Sequence, residues 1–70
     1  MPTPNDDSAL SDAQLRIELS LARRQLHAHA AAMRAYLRRG EADLAGEEQL
    51  AAERARDKIG ELMALLRRRR

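Results

Sequence analysis

The sequence predicts an all-α protein, an antiparallel two-helix hairpin that pairs with a second copy into a homodimeric four-helix bundle. The hydrophobic residues, 44% of the 70-residue chain, are mostly alanine and leucine, with no valine and one aromatic residue, Tyr36. This composition suits helices and argues against sheets. Two stretches repeat apolar residues at alternating spacings of four and three, which is typical of packed helices. Because only a short segment separates them, the two helices are expected to pack antiparallel.

The predicted boundaries divide the chain into a tail and a hairpin. Residues 1–10 contain both prolines and two aspartates and are predicted to form a disordered N-terminal tail. The helical hairpin occupies residues 11–70, with helix 1 over about 11–39, a turn over about 40–43 and helix 2 over about 44–68. A chain of this length without cysteine has a marginal core, so a second copy is expected to complete it.

Capping residues support these boundaries. Ser11 and Gln14, three residues apart, are spaced as a capping box at the start of helix 1. Leu10, just before the cap, is placed for a hydrophobic staple. Gly40 follows helix 1 and suits the left-handed conformation that ends many helices. Asp43 is the expected cap of helix 2.

A single apolar seam is predicted to join the two helices. Its members fall on the main stripe of each helix: Leu15, Leu19, Leu26, Met33, Ile59, Leu62 and Leu66. His29 lies on this seam and is expected to be a partly buried polar residue that fixes the register, with a pH-sensitive interface as the alternative. His27 is two positions away, on a different helix face, so the two histidines do not form a metal pair. Gly60 either admits a neighbouring backbone or is simply tolerated.

Some apolar residues fall off this seam and predict a second contact face. The predicted interface with a partner or a second copy comprises Ile17, Leu21, Ala28, Leu50 and Leu65. A helix that is apolar on more than one side usually buries the second side elsewhere. Self-association and docking to another protein are the functional interpretations. The alternative is that these residues only widen one apolar stripe.

The basic end of the chain has two interpretations. The run consists of Arg67, Arg68, Arg69 and Arg70. It can bind phosphates of RNA or DNA. The favoured interpretation is a solvated helix end, stabilised by the helix dipole and partly neutralised by Asp6, Asp7 and Asp12. No aromatic side chains interleave with the arginines, which argues against stacking on single-stranded bases.

The sequence gives almost no support for catalysis. The chain has no cysteine, and its three glycines, at positions 40, 46 and 60, do not form a phosphate-binding loop. Two helices also offer no deep pocket. We therefore predict no enzymatic activity, no cofactor, no metal site and no small-molecule substrate.

The distribution of hydrophobicity predicts a cytoplasmic protein without a membrane partner. The first residues are polar and acidic and do not resemble a secretory signal. No stretch approaches the roughly 20 apolar residues of a membrane span. Contact of a basic helix 1 with a membrane surface is an alternative, but its apolar face lacks tryptophan and phenylalanine.

These features together favour an interaction protein. We expect a small non-enzymatic regulator that binds and inhibits another protein through its helix faces, as antitoxins and phage-encoded modulators do. Arg23, Arg24 and Arg56 are the expected rim of that contact. The alternative is a homodimeric hairpin that binds RNA or DNA through its arginine clusters. A third possibility is one subunit of a larger helical assembly.

Overall fold

The computed structural model describes residues 10–69, which form two α-helices, α1 (Asp12–Arg38) and α2 (Ala42–Arg68). The helices pack against each other along the chain as a hairpin, so the all-α hairpin predicted from the sequence is confirmed. The tail predicted for residues 1–10 lies outside the described residues except at its last position, Leu10. That side chain packs against the hydrophobic core and is therefore part of the hairpin.

The first helix begins at a complete capping box. The backbone N–H of Gln14 donates to the hydroxyl oxygen of Ser11 at 3.1 Å, and the backbone N–H of Ser11 donates to Gln14 Oε1 at 2.8 Å. Each residue thus satisfies a backbone donor that the first helical turn leaves without a partner. Asp12 follows in the first turn, where a carboxylate interacts favourably with the helix dipole.

The turn is a Schellman motif. The backbone N–H of Gly40 donates to the Leu37 carbonyl at 3.1 Å, and that of Glu41 donates to the Tyr36 carbonyl at 2.9 Å. Gly40 has a φ of +74°, a conformation that costs a side chain about 1–2 kcal/mol and glycine almost nothing. The chain therefore reverses over very few residues and enters the second helix at once.

This compact turn corrects the predicted start of α2. The helix begins at Ala42, two residues before the predicted position. Asp43 is not the cap, because it already lies in the first helical turn, where its charge favours the dipole. Glu41 occupies the N-cap position without a side-chain capping bond. The Schellman motif completes the reversal by Glu41, so residues 42 and 43 of the predicted turn are already helical.

The core lies mainly at the open end of the hairpin. Leu15 and Leu62 are completely buried, and Leu19 and Ala22 complete the buried cluster. Towards the turn the buried residues are small, namely Ala45, Ala52 and Ala55.

Several residues predicted for the core are only half covered. They are Leu26, Met33, Ile59 and Leu66, and Ile59 and Leu66 pack against the buried cluster from its edge. The physical reason is that one neighbouring helix covers one side of a large side chain and leaves the other side open.

The capping box should contribute measurably to stability. Replacing Ser11 with alanine removes the hydrogen bond to the Gln14 backbone and is expected to lower the free energy of unfolding by about 0.5–2 kcal/mol. Urea denaturation followed by circular dichroism measures this change, at one protein concentration throughout. Ser20→Ala is the matched control. Ser20 is exposed in the middle of α1, so its replacement should leave stability equal or slightly higher. Equal effects at both positions would contradict the capping role.

The three glycines should respond in opposite directions. A Cβ added at Gly46 or Gly60 meets no atom within 4 Å, so Gly46→Ala and Gly60→Ala should each stabilise the helix by up to about 1 kcal/mol. Gly40→Ala should destabilise by about 1–2 kcal/mol, because φ is positive there. Thermal unfolding of the three variants tests the contrast. A stabilising Gly40→Ala would refute the turn geometry.

Candidate functional site

Exposed apolar side chains are the most unusual feature of the surface. Single exposed leucines are ordinary, but this hairpin leaves many of its large apolar side chains open to solvent. Within residues 10–69 they are Ile17 (60% exposed), Leu37 (56%), Leu50 (56%), Leu21 (46%), Met63 (41%) and Leu44 (40%). Their positions on the two helices decide which of them can form a binding surface.

One group lies on the outer side of α1. Ile17 is two positions from both Leu15 and Leu19, which are buried, and two helical residues are rotated by about 200°. Ile17 therefore faces away from α2. Leu21 and Ala28 follow at helical spacings and are exposed as well. We call Ile17, Leu21 and Ala28 the outer strip of α1.

The structure separates the other two residues of the predicted interface from this strip. Leu50 is two positions from the buried Ala52, so it lies on the outer side of α2 and faces the opposite direction from Ile17. Leu65 was predicted to point away from the hairpin, and this prediction is wrong. It is half-buried and packs against the core cluster, because it lies one helical turn from the fully buried Leu62. The five residues therefore do not form one face.

A second apolar surface, which the sequence-based prediction missed, is a groove between the helices. In the half near the turn, a cavity of about 400 Å³ is lined by Leu26, Ala30, Met33, Leu37, Gln49, Ala52, Glu53 and Arg56. In the half near the open end, a cavity of about 270 Å³ is lined by Leu19, Arg23, Met63, Leu66 and Arg67. We call these two cavities together the apolar groove.

Helical spacing places both cavities on the same side of the hairpin. Arg23, in one cavity, is seven positions before Ala30, in the other, and residues seven apart share a side of a helix. Arg56 and Met63 are related in the same way on α2. The apolar groove therefore runs along one broad side of the hairpin and includes Leu37 and Met63, two of the most exposed apolar side chains.

This location changes the role of two predicted rim arginines. Arg23 and Arg56 line the apolar groove and do not flank the outer strip of α1. Arg24 lies seven positions after Ile17 and is exposed, so it belongs to the outer side of α1. The sequence does contain a sign of the groove. Leu37 and Met63 each follow a predicted seam residue by one turn, so both flank the main apolar stripe.

A polar pair crosses the hairpin near its middle. The Nδ1–H of His29 donates to Glu48 Oε2 at 2.6 Å, with side chains 37% and 26% exposed. We assign the proton to Nδ1 because an ionised carboxylate only accepts hydrogen bonds. His29 is half-buried, as the sequence predicted for a seam residue, whereas its partner Glu48 was not predicted. His27 is exposed.

The arginines of the C-terminal run have different surroundings. Arg69 Nη1 donates to Asp12 Oδ1 at 3.2 Å, which ties the end of α2 to the first turn of α1. Arg67 lines the apolar groove, Arg68 is exposed, and Arg70 lies outside the described residues. Consecutive helical residues point about 100° apart. Arg67, Arg68 and Arg69 therefore leave the end of α2 in different directions, and binding of phosphates by this run stays a prediction.

Candidate metal clusters and membrane-spanning helices are absent from residues 10–69. No group of three histidine, cysteine, aspartate or glutamate side chains there could hold a metal ion. Neither α1 nor α2 has a segment long and apolar enough to cross a membrane. The exposed apolar surfaces, namely the outer strip of α1 and the apolar groove, are the candidate site.

The His29–Glu48 pair should behave as a coupled unit. In a double-mutant cycle of His29→Ala and Glu48→Ala, the losses in free energy of unfolding should be non-additive by about 0.5 kcal/mol. This is the lower end of the usual range, because both side chains are partly exposed. A second cycle of His27→Ala with Glu48→Ala is the control and should be additive, because His27 is exposed on another side of α1. Equal coupling in both cycles would argue against the pair.

Comparison with known proteins adds no relative from which a role can be transferred. No protein-family model, no curated protein and no solved structure matches this chain. Its function therefore has to be argued from its own surfaces.

Proposed function

We propose that this chain is a small non-enzymatic regulatory protein that binds another protein through the outer strip of α1 and inhibits it. The observation that carries the proposal is the exposure of Ile17 (60%) and Leu21 (46%) on the side of α1 that faces away from α2. The hairpin itself cannot cover this side. An apolar strip on the outer side of a helix is typical of a surface that docks into a partner.

The spacing of the strip suits recognition of a helix by a groove. Ile17 and Leu21 are one turn apart, and Ala28 continues the same line two turns later, as do the anchor residues of helices that bind in apolar clefts. Alanine at the third position lets the partner approach the backbone closely. Arg24 lies among these residues and is exposed, so the partner's cleft is expected to carry an acidic group beside its apolar floor.

We also propose that the protein forms a homodimeric four-helix bundle in the cytoplasm. The small core supports self-association, because Leu15 and Leu62 are the large side chains that the described hairpin buries completely. A hairpin of this size gains stability when a second copy covers its open side. The absence of cysteine suits a reducing compartment.

A charge on the outer strip should abolish partner binding without unfolding the hairpin. Leu21→Asp places a carboxylate in the proposed contact, whereas Ser20→Asp adds the same charge at a neighbouring exposed polar position. In cross-linking followed by mass spectrometry, the wild type and Ser20→Asp should capture the same protein and Leu21→Asp should lose it by at least about tenfold. The purified wild type should then inhibit that protein's activity at stoichiometric amounts.

Circular dichroism provides the folding control for this experiment. All three proteins should have the same helicity, because Leu21 is half exposed and aspartate costs a helix interior less than about 0.7 kcal/mol. Equal capture by Leu21→Asp and the wild type would show that the outer strip of α1 is not the docking surface.

A further inference from the structure

We propose that the apolar groove is covered by a second copy of this chain, and that the two hairpins lie with their turns at opposite ends of the bundle. This inference rests on the proposed self-association and specifies its face and orientation. The groove contains the exposed Leu37 and Met63 and is lined by further apolar side chains. The outer strip of α1 is a separate surface, and it would remain open in such a dimer.

The side of the hairpin that carries the groove has enough area for a stable dimer interface, whereas the outer side of a single helix does not. Each helix has 27 residues and is therefore about 40 Å long. Two helices side by side are about 20 Å wide, so the broad side covers roughly the 800 Å² per partner that a stable interface needs. An outer strip belongs to one helix and offers about half of that width.

The groove is also lined by apolar side chains along both halves. They extend from Leu37 near the turn to Leu66 near the open end. Residues that α1 and α2 leave half-covered, such as Met33 and Leu66, line the same groove. A second hairpin laid on this side supplies the missing contacts for all of them and makes an isologous interface.

Charge selects the orientation. With turns at opposite ends, each α2 lies across the α2 of the second copy, and the two helices are level at their midpoint, Ala55. Glu53 is two positions before this midpoint and Arg56 is one position after it. Glu53 of one copy is then within about 1.5 Å, along the helix axis, of the level of Arg56 of the other copy. The pair occurs twice by symmetry, and its charges are opposite.

The other orientation brings like charges together. With both turns at the same end, α2 lies across α1 of the second copy, whose midpoint is Gln25. Arg23 and Arg56 each lie one or two residues from the midpoint of their helix, towards the open end of the hairpin. They are then nearly level with each other, and both line the groove. Two arginine–arginine contacts would follow. In the favoured orientation the two Arg56 side chains lie about 3 Å apart along the helix axis, but a Glu53 is nearer in level to each of them. Arg16 and Arg34 also become level with each other, but both are exposed outside the groove, where water and salt screen their repulsion.

Light scattering on a sizing column tests the face. The wild type should have a mass near twice 7.9 kDa. Met63→Asp, in the groove, should halve this mass, whereas Ile17→Asp, on the outer strip of α1, should keep the dimer. Circular dichroism checks that both variants retain their helices. A monomeric wild type at about 100 µM, where a Kd in the micromolar range would hold the dimer, would overturn the proposal. Dissociation by Ile17→Asp in place of Met63→Asp would overturn it too.

A charge exchange tests the orientation. Glu53→Arg and Arg56→Glu should each weaken the homodimer by at least about tenfold in Kd, because each places like charges opposite one another. Mixing the two variants should restore a dimer that contains one of each, since both contacts are then between opposite charges. Both positions are exposed, so folding is not at risk. If the mixture stays monomeric, the orientation is wrong.

The same variants separate this inference from the proposed function. Ile17→Asp and Leu21→Asp should lose the captured protein while remaining dimeric. A monomeric wild type that still captures the protein through Leu21 would overturn the groove inference and leave the protein-binding proposal standing.

Discussion

The limited cover that one helix can give another is the constraint on which the rest of this structure depends. A long amphipathic helix needs its apolar stripe buried, but a single neighbour reaches only part of it. The hairpin therefore buries Leu15 and Leu62 completely and leaves the next tier of seam residues half-covered. The apolar groove is a consequence, because side chains at the edge of the seam are covered by one neighbouring helix and remain open on the other side.

Small residues and end contacts compensate for this thin core. Near the turn the buried residues are alanines, which bring the helices close together but remove little surface from water. The polar pair of His29 and Glu48 crosses the hairpin where large apolar contacts become sparse. The ends are held separately, by the Schellman motif at one end and by the ion pair between Asp12 and Arg69 at the other.

In the two proposals, each apolar surface binds a different molecule. The proposed dimer uses the broad groove side, where both helices contribute, and leaves the outer strip of each α1 in solvent. One bundle would then present two identical docking strips, and a partner with two binding sites would be held more tightly than one strip alone allows. Self-association and partner binding would not compete, because Met63 and Leu21 lie on different sides of the hairpin.

The sequence by itself determined the helices, the hairpin and the seam, because these depend on local chemistry and on periodicity. Residue spacing alone indicates the capping box of Ser11 and Gln14 and the glycine at position 40. It also indicates the apolar stripes that contain Leu15 on α1 and Leu62 on α2. The tertiary structure decided which faces are joined and which remain open. Spacing gives a residue's angle on its own helix but not the side on which the neighbouring helix lies, so Leu65 was assigned to the surface and the groove was missed. Only the packing of α1 on α2 showed that Ile17 and Leu50 face opposite ways.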